Sequence, residues 1–322
     1  MLPCEQRLVG DVEFHVHASA WSQHQHHTDA RYNNVVLHVV LICDDPVPTR
    51  CAAGAAIPVC SLNDLPATLN DTYQVGNWPC QHIVPQLSIE ARARLFQQAG
   101  LLRFEEKAHA FVVRLRSMPL YDTAFAVYDL CLIPALAEGL GYGRDRDFFR
   151  AAGNYLLGLP VSLPEPLGRA PQPVPLDAHR LRVLATLVAQ WRIPGLWQTL
   201  RAILLAGCDG DSTTRLRKLR DLFVDAGLSL ARTDILLCNV VFPFALAVSL
   251  QENDMLLGVR AQQLYKQHPG LSSNRITRMM CAQLRLLVEP QGSCQQQGLH
   301  YIYQQTCREK RCDVCMVGKR QI

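Results

Sequence analysis

A change of periodicity at Ser88 constrains this chain more than any other feature. Ahead of it, short apolar runs either alternate or stay continuous, and Pro, Cys and Asn break them; behind it, apolar residues return every three to four positions to about Val288. Period two belongs to strands and period 3.6 to helices. The pattern therefore predicts an α+β chain with a β-rich part over 1–87 and a helical part over 88–322. In the first part, Asp11–His17 reads as an alternating strand. Val35–Ile42 is almost continuously apolar and is expected to be buried on both faces. Residues 44–87 carry no helical pattern.

Ser88 is a plausible N-cap for a helix running to about Leu115. Further helices are predicted over 122–139, 145–157, 178–206, 211–226, 232–252 and 254–267. Another, capped from Ser272-Ser273-Asn274, is expected to run to about Val288. Six prolines between Pro160 and Pro175 read as a stiff surface loop. A chain of 322 residues buries enough surface to fold without a disulfide or metal. Its thirteen cysteines are odd in number and scattered, which argues against a secreted disulfide framework. Ile235–Leu250 is apolar for sixteen residues but interrupted by Asn239, Pro243 and Ser249. A bilayer span needs about 20 cleaner residues, so a buried helix is expected and no membrane partner. With no basic-then-apolar leader at its start, the chain is expected in the cytoplasm.

Two clusters carry possible chemistry. The first strand sets Glu13, His15 and His17 on one face, about 6.6 Å apart in steps of two, and Val12, Phe14 and Val16 on the other. Six of the eleven histidines fall between His15 and His38, the rest of that group being His24, His26, His27 and His38. Imidazoles suit transition metals, and a carboxylate adds the hard ligand that Mg or Mn prefers. The plain alternative is a solvated polar strand face beside a histidine-rich loop. At the other end, Cys307, Cys312 and Cys315 lie within nine residues, flanked by Arg308, Lys310, Arg311, Lys319 and Arg320. Nearby cations favour thiolate, the metal-binding form.

Zinc sites and iron–sulfur clusters both want four ligands. Cys294 is the nearest fourth, but a helix over 295–307 would hold it about 20 Å from Cys307. Cys281 or a histidine such as His300 remains open. From residue 270 onward there are eight Lys/Arg against three Asp/Glu, although the whole chain carries only +4. Arg275, Arg278 and Arg285 fall on one side of the helix expected there, and with Arg311 they could meet a phosphate backbone or simply face solvent. The nucleophile elbow, the Walker loop, the dinucleotide fingerprint and the H-E-x-x-H zinc motif are all missing from the sequence. Gly139–Gly143 reads as a helix-ending turn, and Asn239 as a satisfied core amide beside a Pro243 kink.

The runs Gly10–Trp21, His26–Asp29 and Tyr32–Val40 resemble an uncharacterised bacterial family catalogued as domain of unknown function 2851. So do Ile57-Pro58, Pro79-Cys80, Gly139–Tyr142, Asn239–Phe244, Asn274–Arg278, Gln296–Tyr303 and the three terminal cysteines. The N-terminal block resembles a PD-(D/E)XK nuclease core, in which Asp and Glu hold a divalent cation and Lys orients the attacking water. Glu13-Phe14-His15 would stand for Glu-x-Lys. The resemblance thus implies Glu13 as metal ligand and catalytic group, with His15 as base or ligand. It also implies a Gly-Pro-Asp-Phe segment ahead of the strand. Met1 falls just before Gly10, so the expectation is an N-terminally truncated chain with impaired catalysis.

Three functions follow from these readings. The first is an Mg- or Mn-dependent phosphodiesterase acting on nucleic acid, with Glu13 and His15 catalytic and Glu13 and His17 on the metal. The second is a non-catalytic adaptor that binds nucleic acid or protein, using Arg275, Arg278 and Arg311, with zinc or an iron–sulfur cluster on Cys307, Cys312 and Cys315. The third is a metal or redox sensor built on those thiols.

Overall fold

The computed structural model describes residues 9–63, 78–119, 125–141, 145–162, 176–190, 192–207 and 212–318. They form two compact units, one made by 9–63 and the other by the described residues from 78 onward. The chain is largely helical with one small sheet, an α+β composition.

In the first unit, β1 (Asp11–His17), β2 (Val35–Ile42) and β3 (Val59–Ser61) make a parallel sheet in that order. Glu13 pairs with His38 and His15 with Val40, so those side chains share one face. The exposure of β1 is the reverse of the usual. Val12, Phe14 and Val16 are 42, 66 and 59% exposed, whereas Glu13 and His15 are half-buried. The cause is the segment between β1 and β2, which folds over the polar face. It is pinned by Trp21, buried with Val35, Cys51 and Ile57, whose indole N–H donates to the Arg50 carbonyl at 2.9 Å. β2 is not buried along its whole length: Val39 and Val40 are inside, but Leu41 and Ile42 emerge. The three residues of β3 pair only with His38, Val39 and Val40, and so leave the end of β2 uncovered.

The second unit begins where a helix was not expected. Cys80–Gln86 is helical (α1), with Pro79 at its N-cap and Pro85 inside it. Two prolines in nine residues hide the period, yet Ile83 and Val84 still pack against Leu95 and Phe96. Ser88 then caps α2 (Ile89–Arg116), its hydroxyl accepting the Ala91 N–H at 3.2 Å. Next come α3 (Val127–Leu140) and α4 (Arg146–Leu156). The helix expected over 178–206 is two helices, α5 (Leu176–Gln190) and α6 (Leu196–Leu205). Pro194, in cis, and Gly195 at φ +111° lie between them. Proline lacks the N–H a continuous helix would need there.

α7 (Ser212–Asp225) precedes the apolar run Leu230–Glu252 (α8), which includes a π-helical segment over Leu237–Val241. By length and composition α8 could cross a membrane, but 78% of its apolar window is buried inside this fold. α9 (Met255–Gln267), α10 (Arg275–Gln283) and α11 (Ser293–Gln305) complete the unit. α10 ends sooner than Val288, and Arg285 falls beyond it at φ +53°. Its start is a capping box in which Asn274 accepts from Ile276 and Thr277 and the Thr277 hydroxyl accepts from the Asn274 N–H. The turn expected at Gly139–Gly143 begins where α3 ends at Leu140, and Tyr142 and Gly143 lie outside the described residues. So does most of the proline-rich loop, from residue 163 to 175.

α2 and α11 cross at two glycines. A Cβ on Gly298 would sit 2.0 Å from the Phe96 carbonyl oxygen, and one on Gly100 would sit 2.0 Å from that of Cys294. Only hydrogen at both positions lets the backbones approach this closely.

Candidate metal centre

On the covered face of the sheet, three imidazoles converge. His15 on β1 and His24 and His26 in the following loop each offer a ring nitrogen, all within 4.8 Å of one another. The loop reaches this geometry through a tight turn at Gln25, at φ +59°. His26 is buried with its ring 3.8 Å from that of Tyr32, His15 is half-buried, and His24 faces solvent. The centre is therefore walled on one side and open on the other.

Protonation favours a metal here. Burial pushes His15 down to about 4, helped by its neighbours His38, His26 and His24; burial and His24 do the same to His26. Both are neutral near pH 7, with lone pairs free to coordinate. The Nδ1 of His26 is buried with no hydrogen-bond partner among the described residues. Such an orphan costs free energy unless something binds it.

Behind the three lies an orienting chain. His15 Nδ1 is 3.0 Å from Nε2 of the fully buried His38, and His38 Nδ1 is 3.2 Å from the Thr49 hydroxyl. This occupies one nitrogen of His15 and turns Nε2 toward Glu13, whose Oε1 is 3.9 Å away. Metal-binding imidazoles are commonly held in just this way by their other nitrogen. Burial raises the Glu13 carboxyl, His24 opposes the shift and Asp11 adds to it. A carboxylate of raised basicity beside these imidazoles could take a proton from a metal-bound water.

Of the residues singled out in the sequence, Glu13 and His15 lie in this centre. His17, on the same strand face, instead places Nδ1 3.2 Å from Asp44, which also accepts from Ser19. His24 and His26 had only the crowding of histidines to mark them, because a loop has no period from which to read direction.

The C-terminal cysteines also converge, in the helical unit. After α11, two short 3₁₀ turns, Cys307–Glu309 and Cys312–Val314, bring Cys307, Cys312 and Cys315 around a cavity of about 90 Å³. Cys80 of α1 faces the same cavity. Of the alternatives left open by spacing, Cys294 turns toward the Gln97 carbonyl and His300 Nε2 pairs with the Asn274 amide at 3.0 Å. Cys281 is not among the residues lining the cavity.

Arg275 and Arg278 are exposed on α10, and Arg278 reaches the Ser273 hydroxyl at 3.4 Å. Arg311 donates to the Gln305 carbonyl and pairs with Glu309. A cationic group without any signature in the sequence lies where α2 meets α8 and α11. Arg103 donates to the side-chain oxygens of Gln297 and Gln304, and Lys107 to that of Asn239 in the π-helical segment. Burial and then Arg103 press Lys107 well below its ordinary value; burial, with Arg103 and Lys107, pushes His300 down to about 4. Asn239 is thus satisfied, as the sequence suggested, but its partner is a cation.

Neither curated proteins nor solved structures include a significant match to the chain. Residues 4–156, which hold the whole histidine centre and Cys80, match the family model described as a protein of unknown function (DUF2851), and over that stretch the chain is similar to this family.

Proposed function

We propose that the N-terminal unit is a transition-metal centre that hydrolyses phosphodiester bonds in nucleic acid. His15, His24 and His26 would hold the ion, and Glu13 would act as the general base. The convergence of three ring nitrogens within 4.8 Å carries this reading. Three nitrogen donors suit Zn, Mn or Fe better than Mg, which demands oxygen ligands. Bound there, the ion would supply an acidified water and charge stabilisation for the phosphate oxygens. The solvent side at His24 leaves room for a bulky substrate. The choice of phosphodiester rests on the likeness of Gly10–His17 to a nuclease core.

Titration calorimetry with Zn²⁺, Mn²⁺ and Mg²⁺, paired with cleavage assays on single- and double-stranded DNA and RNA, tests the two halves separately. His26→Ala is expected to weaken Zn²⁺ or Mn²⁺ binding by at least about 100-fold, since it removes one of three protein ligands. Glu13→Gln is expected to keep the metal and lose cleavage. Metal affinity unchanged by His26→Ala would sink the centre; metal binding without cleavage of any nucleic acid would sink the hydrolase.

A binding protein without catalysis is the second reading, and the group around Lys107 favours it. The hydrogen bonds of Arg103 and Lys107 described above go to neutral amide oxygens. A phosphate seated there would restore the charge on Lys107. This reading predicts salt-dependent binding of labelled DNA or RNA that Lys107→Ala weakens and Glu13→Ala leaves unchanged.

A further inference from the structure

We propose that Cys80, Cys307, Cys312 and Cys315 bind a four-iron, four-sulfur cluster that ties the C-terminal turns to α1. All four thiols line one cavity, and together they supply the full thiolate set such a cluster needs.

Two observations favour a cluster over a single zinc ion. Tetrahedral zinc draws its four sulfurs to about 2.3 Å from one point, which leaves no space between them. Here the thiols surround about 90 Å³ of empty volume, several times what one water requires. Among the described residues, the group of three potential ligands within 4.8 Å of one another is the histidine trio; the thiols are set wider. In a cube, each thiolate binds a different iron, so wide spacing is what the cofactor asks for.

The walls suit the same occupant. Trp78, Leu284, Ile302 and Val317 give an apolar lining, and Lys310 brings a cation to what would be an anionic group. The Gln283 side-chain amide donates to both Cys80 and Cys307, at 3.6 Å each. Hydrogen bonds of this kind to ligating sulfurs tune cluster potentials. Cys80 and Cys315 are buried, while Cys312 is only half-buried, which gives iron a way in.

The test is to purify the full chain without oxygen, or to reconstitute it with Fe²⁺ and sulfide, and to measure iron, acid-labile sulfide and visible absorption. About four iron and four sulfide per chain are expected, with broad sulfur-to-iron charge-transfer absorption. Labile sulfide separates this site from the histidine centre, which could bind iron but has no use for sulfide. Cys80→Ser is expected to lose most of the sulfide, and exposed Cys43→Ser to keep it. Cys312→Ser, a less buried ligand, gives the same reading if Cys80→Ser fails to fold. Stoichiometric zinc with no labile sulfide after reconstitution would overturn the cluster. Full sulfide in a folded Cys80→Ser chain would overturn the fourth ligand.

Discussion

His15 and His26 show how one residue type changes meaning with its surroundings. An exposed histidine titrates near 6.5, but these two are held at about 4 by burial first and then by neighbouring imidazoles, His38 and His24 among them. The unfolded chain therefore takes up protons between pH 6.5 and 4 that the folded unit refuses. Stability must fall across that window as the pH drops, because the state that binds more protons gains. Amide exchange at Phe14 and Val39, corrected for intrinsic rates, is expected to show protection declining from pH 7 to pH 5. Constant protection would mean that the two rings are more solvated than their packing implies. Zn²⁺ added at pH 6 is expected to restore protection, since it binds only the folded, neutral form. The residues of this centre were half-legible. Glu13 and His15 stood out by strand alternation, whereas His24 and His26 owe their positions to the backbone turn at Gln25.

Among the elements, α2 and α11 depend on what they lack. Gly100 and Gly298 let the two helices touch backbone to backbone, and the Tyr265 hydroxyl donates to the Gly100 carbonyl at the same crossing. Gly298→Ala would gain up to about 1 kcal/mol of helix propensity in isolation. Its methyl would meet the Phe96 carbonyl oxygen, so the crossing must open. The expected net effect is a loss of about 1–3 kcal/mol in urea unfolding; a stabilised variant would mean that the crossing is looser than described. Ser88→Ala should cost about 1 kcal/mol by the same measurement, through loss of the α2 cap. The cap was readable from sequence because it is a local bond. The glycine crossing was not, since a glycine inside a helical pattern looks like any weak position until its partner helix is known. α1 escaped for the opposite reason: its prolines argued against a helix that tertiary packing at Ile83 and Val84 holds in place.

Over the molecule as a whole, buried charge sets a second pH limit. Burial alone would depress His268, but a hydrogen bond to Asp234 at 3.2 Å, then the Cys238 thiol and the Pro269 carbonyl, push it up to about 10. Asp234 also holds Arg220 at 2.6 Å, which joins α7, α8 and the end of α9 through one carboxylate. A folded value above the unfolded 6.5 means stability that is complete below pH 6.5 and lost as the pH rises toward 10. Thermal melting of the full chain is expected to fall between pH 7 and 10, with a flatter profile for His268→Gln. An unchanged slope in the variant would assign the loss to other groups.

What the sequence determined by itself was whatever rests on neighbours along the chain: the alternation of β1, the helical period that follows Ser88, the caps at Ser88 and Asn274, and the grouping of three thiols within one short tail. The same local reading placed Ile235–Leu250 in the core, because its polar interruptions fit a buried helix better than a bilayer span. Only the tertiary structure decided which face of β1 is covered, since alternation gives two faces and does not say where the next segment folds. It also decided that Cys80 joins Cys307, Cys312 and Cys315, and that His24 and His26 join His15. A ligand set is a matter of distance in space, and distance in space between residues far apart in the chain is fixed by packing rather than by spacing.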